Sequence, residues 1–228
     1  MKQSVETEQY HIMRFNILEN ALDELLFACS CLEGFLDCLC EEIRGAKNNI
    51  LPGIIYAKLA KDGLLKVSLC HLFSGCELLF KSALFYKDKK LILMKPDEDA
   101  ITDKRFAVGD FKSIKFDEAT IRIKDSLGYD YTRGSQKSIH LFQLKAVRNK
   151  IEHFAVMLPI SDVLNLWFSS WQELSEFCNL VILPYLSKEN LEDMYASVCK
   201  YFLHAFDFYK QLIDESNTQN IFDFKIEI

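Results

Sequence analysis

Long stretches of helical apolar periodicity, separated by short breaks, dominate the pattern along this chain. Between Glu8 and Arg44, apolar residues recur every three or four positions, which predicts one long helix or two stacked ones. Pro52-Gly53 marks a break. A second long helix is predicted from about Ile54 to Lys87. The first part of the chain therefore predicts two long N-terminal helices.

The pattern weakens near 89–116, which predicts a short irregular or β-like insertion. Within it, Leu91-Ile92-Leu93-Met94 is typical of a short strand or an extended flap. A short helix should then begin with Asp117 as its N-cap and end near Gly128.

The rest of the chain returns to helical periodicity. Helices are predicted over 135–158, 161–186 and about 189–214, and the alternating tail at 221–228 is compatible with a strand. No linker composition divides the chain. We therefore predict one all-α domain over 1–228, a bundle of about six helices that the helices within 160–217 extend.

Composition supports a helical core. Apolar residues make up 50% of the chain, with 18 Phe, whereas the turn formers Gly (8) and Pro (4) are scarce. The net charge of −6 argues against a general nucleic-acid coat protein. Between Arg133 and His153, however, the sequence contains five Lys/Arg and only one acidic residue. This local excess fits a phosphate site, and it equally fits a solvated helix face.

A zinc site is one interpretation of a cluster of four of the eight cysteines, Cys29, Cys31, Cys38 and Cys40. The spacing lacks CxxC knuckles, and Cys29 and Cys31 would point about 200° apart on a helix. We therefore expect buried free thiols, no metal and no cofactor, as suits a reducing cytoplasm. Met1 to Gln9 is unlike a signal peptide, and no apolar run is expected to reach the roughly 18 residues of a membrane span. The prediction is a cytoplasmic protein.

The helix over 135–158 carries the candidate chemistry. Arg148, Asn149 and His153 fall on its polar half. The buried stripe comprises Leu144, Val147, Ile151, Phe154 and Leu158. Histidine can move protons near neutral pH, and a guanidinium can stabilise the negative charge of a phosphorane-like transition state. Asn149 can orient either partner. These are the parts of metal-free RNA cleavage.

One helix supplies only one such set of groups, whereas cleavage needs both an acid and a base. An identical subunit across a two-fold axis would supply the second histidine, so we expect a homodimer. Lys145 and Lys150 are candidate RNA contacts on the same helix. Spacing alone is weak evidence, because Arg133 and His140 form a second match. Arg133 precedes Gly134 and is expected in a loop.

The wider context is similar to a known family. Leu141 to Phe154, LFQLKAVRNKIEHF, resembles the signature helix of the HEPN superfamily (higher eukaryotes and prokaryotes nucleotide-binding). Its Arg-polar-His pattern matches at Arg148, Asn149 and His153. Upstream, HLFSGCELLFKSALF looks like the long helix that precedes the motif, with a Gly-x-Glu-Leu-Leu-x-Lys core from Gly75 to Lys81. The resemblance covers roughly 65–158.

The resemblance implies a domain that dimerises through its motif helices and acts as a metal-independent endoribonuclease, commonly a toxin or an anti-phage effector. By that analogy His153 is the acid/base, Arg148 contacts the scissile phosphate and Asn149 supports both. Glu77 and Lys81 are either supporting site residues or a plain helix pair. Ala155 occupies the position at which toxins with a nucleotidyltransferase antitoxin often carry Tyr. The chain could therefore be controlled by an antitoxin, by another regulatory partner or by no partner at all.

Two other functions fit the same residues. Members of this superfamily without catalysis bind nucleotides or RNA, and the basic helix suits that role. A helical scaffold for protein contacts is the third hypothesis, based on the aromatic residues Trp167, Phe168 and Trp171 and the acidic C-terminal third. Ordinary core packing is the alternative interpretation of those aromatic residues.

Overall fold

The computed structural model describes the backbone over 2–47, 54–95, 112–153 and 159–217, and the side chains over 17–41, 63–95, 112–151 and 159–213. Within these ranges the chain is helical and contains no strand, which confirms the predicted all-α bundle. The tail at 221–228, for which a strand was one prediction, lies outside the described residues.

Two long helices, α1 (Lys2–Lys47) and α2 (Ile54–Lys87), pack against each other along their lengths. They confirm the predicted N-terminal pair, and α1 is a single helix. The helices approach each other closely at Gly75, since a Cβ there would lie 2.6 Å from Leu25 Cδ2 and 3.1 Å from the Ala21 carbonyl oxygen. Nearby, Ser68 Oγ donates a 2.6 Å hydrogen bond to the Ala28 carbonyl. The two backbones can therefore pack closely.

Shorter helices complete the bundle: α3 (Phe116–Leu127), α4 (Ile139–His153), α5 (Ile160–Phe177), α6 (Leu183–Glu189) and α7 (Glu192–Asn217). Helices α3 and α4 pack on α2, α5 packs on α4, and α7 packs on α1. Helix α2 thus has partners on several sides, which explains why its apolar residues do not form a single stripe.

Helix α2 differs from one expectation drawn from the sequence, which concerned membrane-spanning segments. By length and mean hydropathy alone, the segment Gly63–Lys87 is apolar enough to cross a membrane, contrary to the prediction that no run approaches that length. Half of the qualifying stretch is buried inside the bundle. The apolar surface of this segment is accounted for largely by the protein core, where Leu72, Phe80 and Leu84 are fully buried.

The insertion after α2 is a short 3₁₀ turn (Lys89–Ile92) followed by one antiparallel bridge between Leu93 and Ser113. This pairing is the described part of the predicted β-like segment; residues 96–111 lie outside the described ranges. Arg122 of α3 fixes the turn, because its Nη1 donates to the carbonyls of Leu91 at 2.9 Å and Leu93 at 2.7 Å.

The predicted starts of α3 and α4 were wrong. Asp117 is not the N-cap of α3: Lys115 holds that position without a side-chain cap, and Asp117 lies in the first turn, where it pairs with Lys145. The predicted end is confirmed by Gly128, whose φ of 80° closes α3. Helix α4 begins at Ile139 rather than near residue 135 because Ser135 and Ser138 take part in the preceding turns.

The helix predicted over 161–186 is divided by a π turn (Cys178–Ile182) between α5 and α6. Asn190, with φ of 56°, then ends α6, so α7 begins at Glu192, later than the predicted start near residue 189. Both details depend on local backbone geometry that apolar periodicity does not encode.

Two predictions about buried side chains are confirmed. Trp167 is fully buried, Trp171 is 6% exposed, and the Trp167 indole donates to Ser68 Oγ at 2.9 Å, so the aromatic residues pack in the core. The cysteine cluster consists of free thiols, of which Cys29, Cys31 and Cys40 are buried. Burial raises the pKa of the Cys29 thiol well above its usual range, which keeps it protonated.

Candidate functional site

The start of α4 is fixed by a buried carboxylate from α5. Glu173, only 8% exposed, accepts hydrogen bonds of 3.0 Å from the backbone N–H groups of His140 and Leu141, and its Oε1 lies 2.7 Å from His140 Nδ1. Ser170 Oγ donates to the His140 carbonyl at 3.2 Å. A negative charge is favourable at a helix N-terminus, so this contact orients α4 against α5.

The apolar face of α4 follows the predicted stripe within its described part. Leu144 is fully buried, and Val147 and Ile151 are partly buried against the core. Phe154 and Leu158, the last two predicted members, lie outside the described residues. The buried face sets the rotation of the helix and therefore the direction of its polar positions.

Arg148 and Asn149 are brought together beside α2. Arg148 Nη1 donates a 3.2 Å hydrogen bond to Asn149 Oδ1, and the guanidinium carbon lies 5.8 Å from the centroid of the Phe73 ring. Both residues are half-buried. The guanidinium therefore rests between an amide oxygen and an aromatic face, an arrangement that restricts its rotamers before any ligand binds.

His153 is the last residue of α4, and its side chain lies outside the described residues. The helical backbone places it one turn beyond Asn149, so these positions share one side of the helix. Of the three predicted catalytic residues, Arg148 and Asn149 are in contact, and the backbone register of His153 is defined.

The two candidate RNA contacts differ in their surroundings. Lys145 Nζ lies 2.6 Å from Asp117 Oδ1, so its charge is already balanced within the protein. Lys150 is exposed to solvent. A phosphate group would therefore meet the charge of Lys150 more readily than that of Lys145.

The helix pair expected for Glu77 and Lys81 is present, with Lys81 Nζ 2.7 Å from Glu77 Oε1. Lys81 also donates to Ser113 Oγ at 3.2 Å, which ties α2 to the inserted segment. These contacts give both residues a structural role. Glu77 follows Phe73 by one helical turn, so it lies on the side of α2 that faces α4.

The second Arg–His match does not form a comparable site. Arg133 is exposed in a turn beside Gly134, and its guanidinium carbon is 5.3 Å from the Phe142 ring centroid. His140 is held by Glu173. The sequence expectation that Arg133 lies in a loop is confirmed.

Sequence reasoning missed two features. The first is the Glu173 cap; an acid within the apolar stripe of α5 was the available signal, because a buried carboxylate needs partners. The second is a cleft of about 550 Å³, whose lining includes Asp23, Glu24, Phe27 and His71. No local spacing of residues in the sequence predicts this cleft, because its walls come from three helices.

Scans of the chain against protein-family models, curated proteins and solved structures returned no match.

Proposed function

We propose that this chain is a metal-independent endoribonuclease, acting as a homodimer in the cytoplasm as a toxin-like or anti-phage effector. The observation that supports it best is the guanidinium of Arg148, which is held by Asn149 and Phe73 on a helix whose next turn carries His153. The same three residues carry the resemblance to the HEPN signature.

The proposed reaction is transfer of the phosphate to the neighbouring 2′-oxygen. A neutral imidazole of His153 takes the proton of the ribose 2′-OH while the oxygen attacks phosphorus. The imidazolium of the second copy donates a proton to the leaving 5′-oxygen as the P–O5′ bond breaks. The products are a 2′,3′-cyclic phosphate and a 5′-hydroxyl end. Two histidines in opposite protonation states thus balance the proton transfers.

Arg148 contributes electrostatic stabilisation in this scheme. Negative charge accumulates on the non-bridging oxygens in the transition state, and a guanidinium can meet two of them at once. Because Asn149 and Phe73 already limit the rotamers of Arg148, less conformational entropy is lost when the phosphate binds. Lys150, exposed on the same helix, would contact a flanking phosphate.

The test is cleavage of a structured RNA by purified protein in EDTA. His153→Ala should lower the rate roughly 10²- to 10⁴-fold, as expected for loss of a general acid–base group. Arg148→Lys should also be slow, since an ammonium cannot form the paired contact. His204→Ala and Arg133→Ala serve as matched controls, because both side chains are exposed and lie outside α4.

The outcomes separate the hypotheses. Cyclic phosphate ends that disappear in His153→Ala support the nuclease, and undiminished cleavage by that variant refutes the proposed mechanism. Salt-sensitive RNA binding without cleavage, lost in Arg148→Ala, would instead assign α4 to a binding module. The scaffold hypothesis loses its main support, because Trp167 and Trp171 are buried.

A further inference from the structure

A cleft that shares no residue with the proposed nuclease site lies on the other side of α2. The cleft of about 550 Å³ is formed by Asp23, Glu24, Phe27 and neighbours on α1, by His71 of α2 and by Tyr201 of α7. His71 and Phe73 are two residues apart on α2, which separates their directions by about 200°. The cleft and the Arg148 guanidinium, which lies beside Phe73, are therefore on different faces of α2.

The walls of this cleft combine aromatic faces with carboxylates. Phe27 is 51% exposed and Tyr201 is 39% exposed, so both aromatic rings are accessible to a ligand. Glu24 Oε2 lies 2.6 Å from His71 Nδ1, and the His71 ring packs edge-on against Phe27 with centroids 4.6 Å apart. Asp23 is exposed at the rim. An aromatic face beside a carboxylate is the environment that a cation prefers.

The negative charge extends beyond the cleft. Between residues 17 and 41, α1 carries six Asp/Glu and no Lys or Arg. Asp37 and Glu41 are exposed on the same face of α1 as Asp23. They lie about 21 Å and 27 Å from it along the helix axis, at 1.5 Å per residue. A small cation would occupy only the cleft, whereas a stripe of this length matches an extended ligand.

We infer that this face of α1 binds an arginine-bearing polypeptide segment of a partner protein. One arginine inserts into the cleft, where its planar guanidinium stacks on Phe27 and pairs with Asp23. Further basic residues of the segment lie against Asp37 and Glu41. Arginine is favoured over lysine because it can stack on the ring and form paired hydrogen bonds at once.

The test uses fluorescein-labelled hexa-arginine amide and anisotropy at low and physiological salt. Asp23→Asn and Phe27→Ser should each raise Kd about threefold or more. Asp125→Asn, an exposed residue of α3, removes the same charge elsewhere and should change Kd less than twofold. Because Asp23, Phe27 and Asp125 are exposed, all three variants are expected to fold, which circular dichroism verifies.

Three results would overturn the inference. The first is that the wild type fails to bind hexa-arginine. The second is that Asp125→Asn raises the Kd for the peptide as much as Asp23→Asn does. The third is that equimolar spermidine displaces the peptide, which would assign the cleft to small polyamines. None involves RNA cleavage, so the inference and the nuclease proposal fail separately.

Discussion

Replacement of Gly75 by alanine tests how closely α1 and α2 pack. Alanine is a better helix former than glycine by about 0.8–1 kcal/mol, so at an open helical site Gly→Ala stabilises a protein. At Gly75 the new methyl group would lie 2.6 Å from Leu25 Cδ2, 2.8 Å from Leu25 Cγ and 3.1 Å from the Ala21 carbonyl oxygen. Leu25 is 1% exposed, so it cannot move without displacing other core residues.

Overpacking of this kind costs about 1–3 kcal/mol. After subtraction of the gain in helix propensity, we expect Gly75→Ala to lower the free energy of unfolding by about 1 kcal/mol. Gly63→Ala is the matched control on the same helix, because no atom lies within 4 Å of its added Cβ. That variant should gain up to about 1 kcal/mol, which separates the pair by about 2 kcal/mol.

Urea unfolding followed by far-ultraviolet circular dichroism measures both variants, with an unchanged m-value as the check on two-state behaviour. The same difference should appear as a separation of about 4–8 °C in Tm. If Gly75→Ala proved as stable as Gly63→Ala, the close approach of α1 and α2 at this glycine would be refuted.

Three further predictions concern stability and reactivity. Glu173→Ala should destabilise the protein by about 2–3 kcal/mol in urea unfolding, because the N-terminus of α4 loses its cap; no change would contradict this role. The pKa of Asp130 is lowered from 3.8 to about 2 by hydrogen bonds from Lys124 and Thr132. Its stabilising contribution is therefore present above pH 3.8 and lost as pH falls through 2, and an NMR titration midpoint near 3.8 would exclude the interaction. The buried thiols should react with Ellman's reagent at pH 8 only after denaturation, because burial raises the pKa of a thiol, in the case of Cys178 to about 12. Rapid reaction of more thiols than the three half-buried ones would contradict this prediction. Those three are Cys38, Cys70 and Cys199.

The fold was predictable because apolar periodicity dominates this chain. The bounds of α2 from Ile54 to Lys87 follow from Pro52-Gly53 before it and the polar run after it. The end of α3 follows from Gly128, which adopts the left-handed conformation that glycine favours. Local signals of these kinds survive in the tertiary structure because packing reinforces them.

The interactions that orient the candidate site were not predictable in the same way. Lys145, a predicted RNA contact, pairs with Asp117, which lies 28 residues earlier in the chain. Glu173 reaches His140 across 33 residues. Such contacts depend on how helices cross, and the period of the sequence does not contain that information. The polar position of Arg148 was foreseen, but its contact with Phe73 was not.

The position of α2 in the chain has a consequence for synthesis on the ribosome. Among the described residues, α1 is its only packing partner made earlier, whereas α3, α4 and α5 emerge later. The ring of Phe80 stacks on that of Phe177 with centroids 4.1 Å apart, and Phe177 is synthesised almost a hundred residues after Phe80. Until Phe177 is synthesised, one face of the Phe80 ring lacks its stacking partner. Exposed apolar surface of this kind in a nascent chain favours aggregation and chaperone binding.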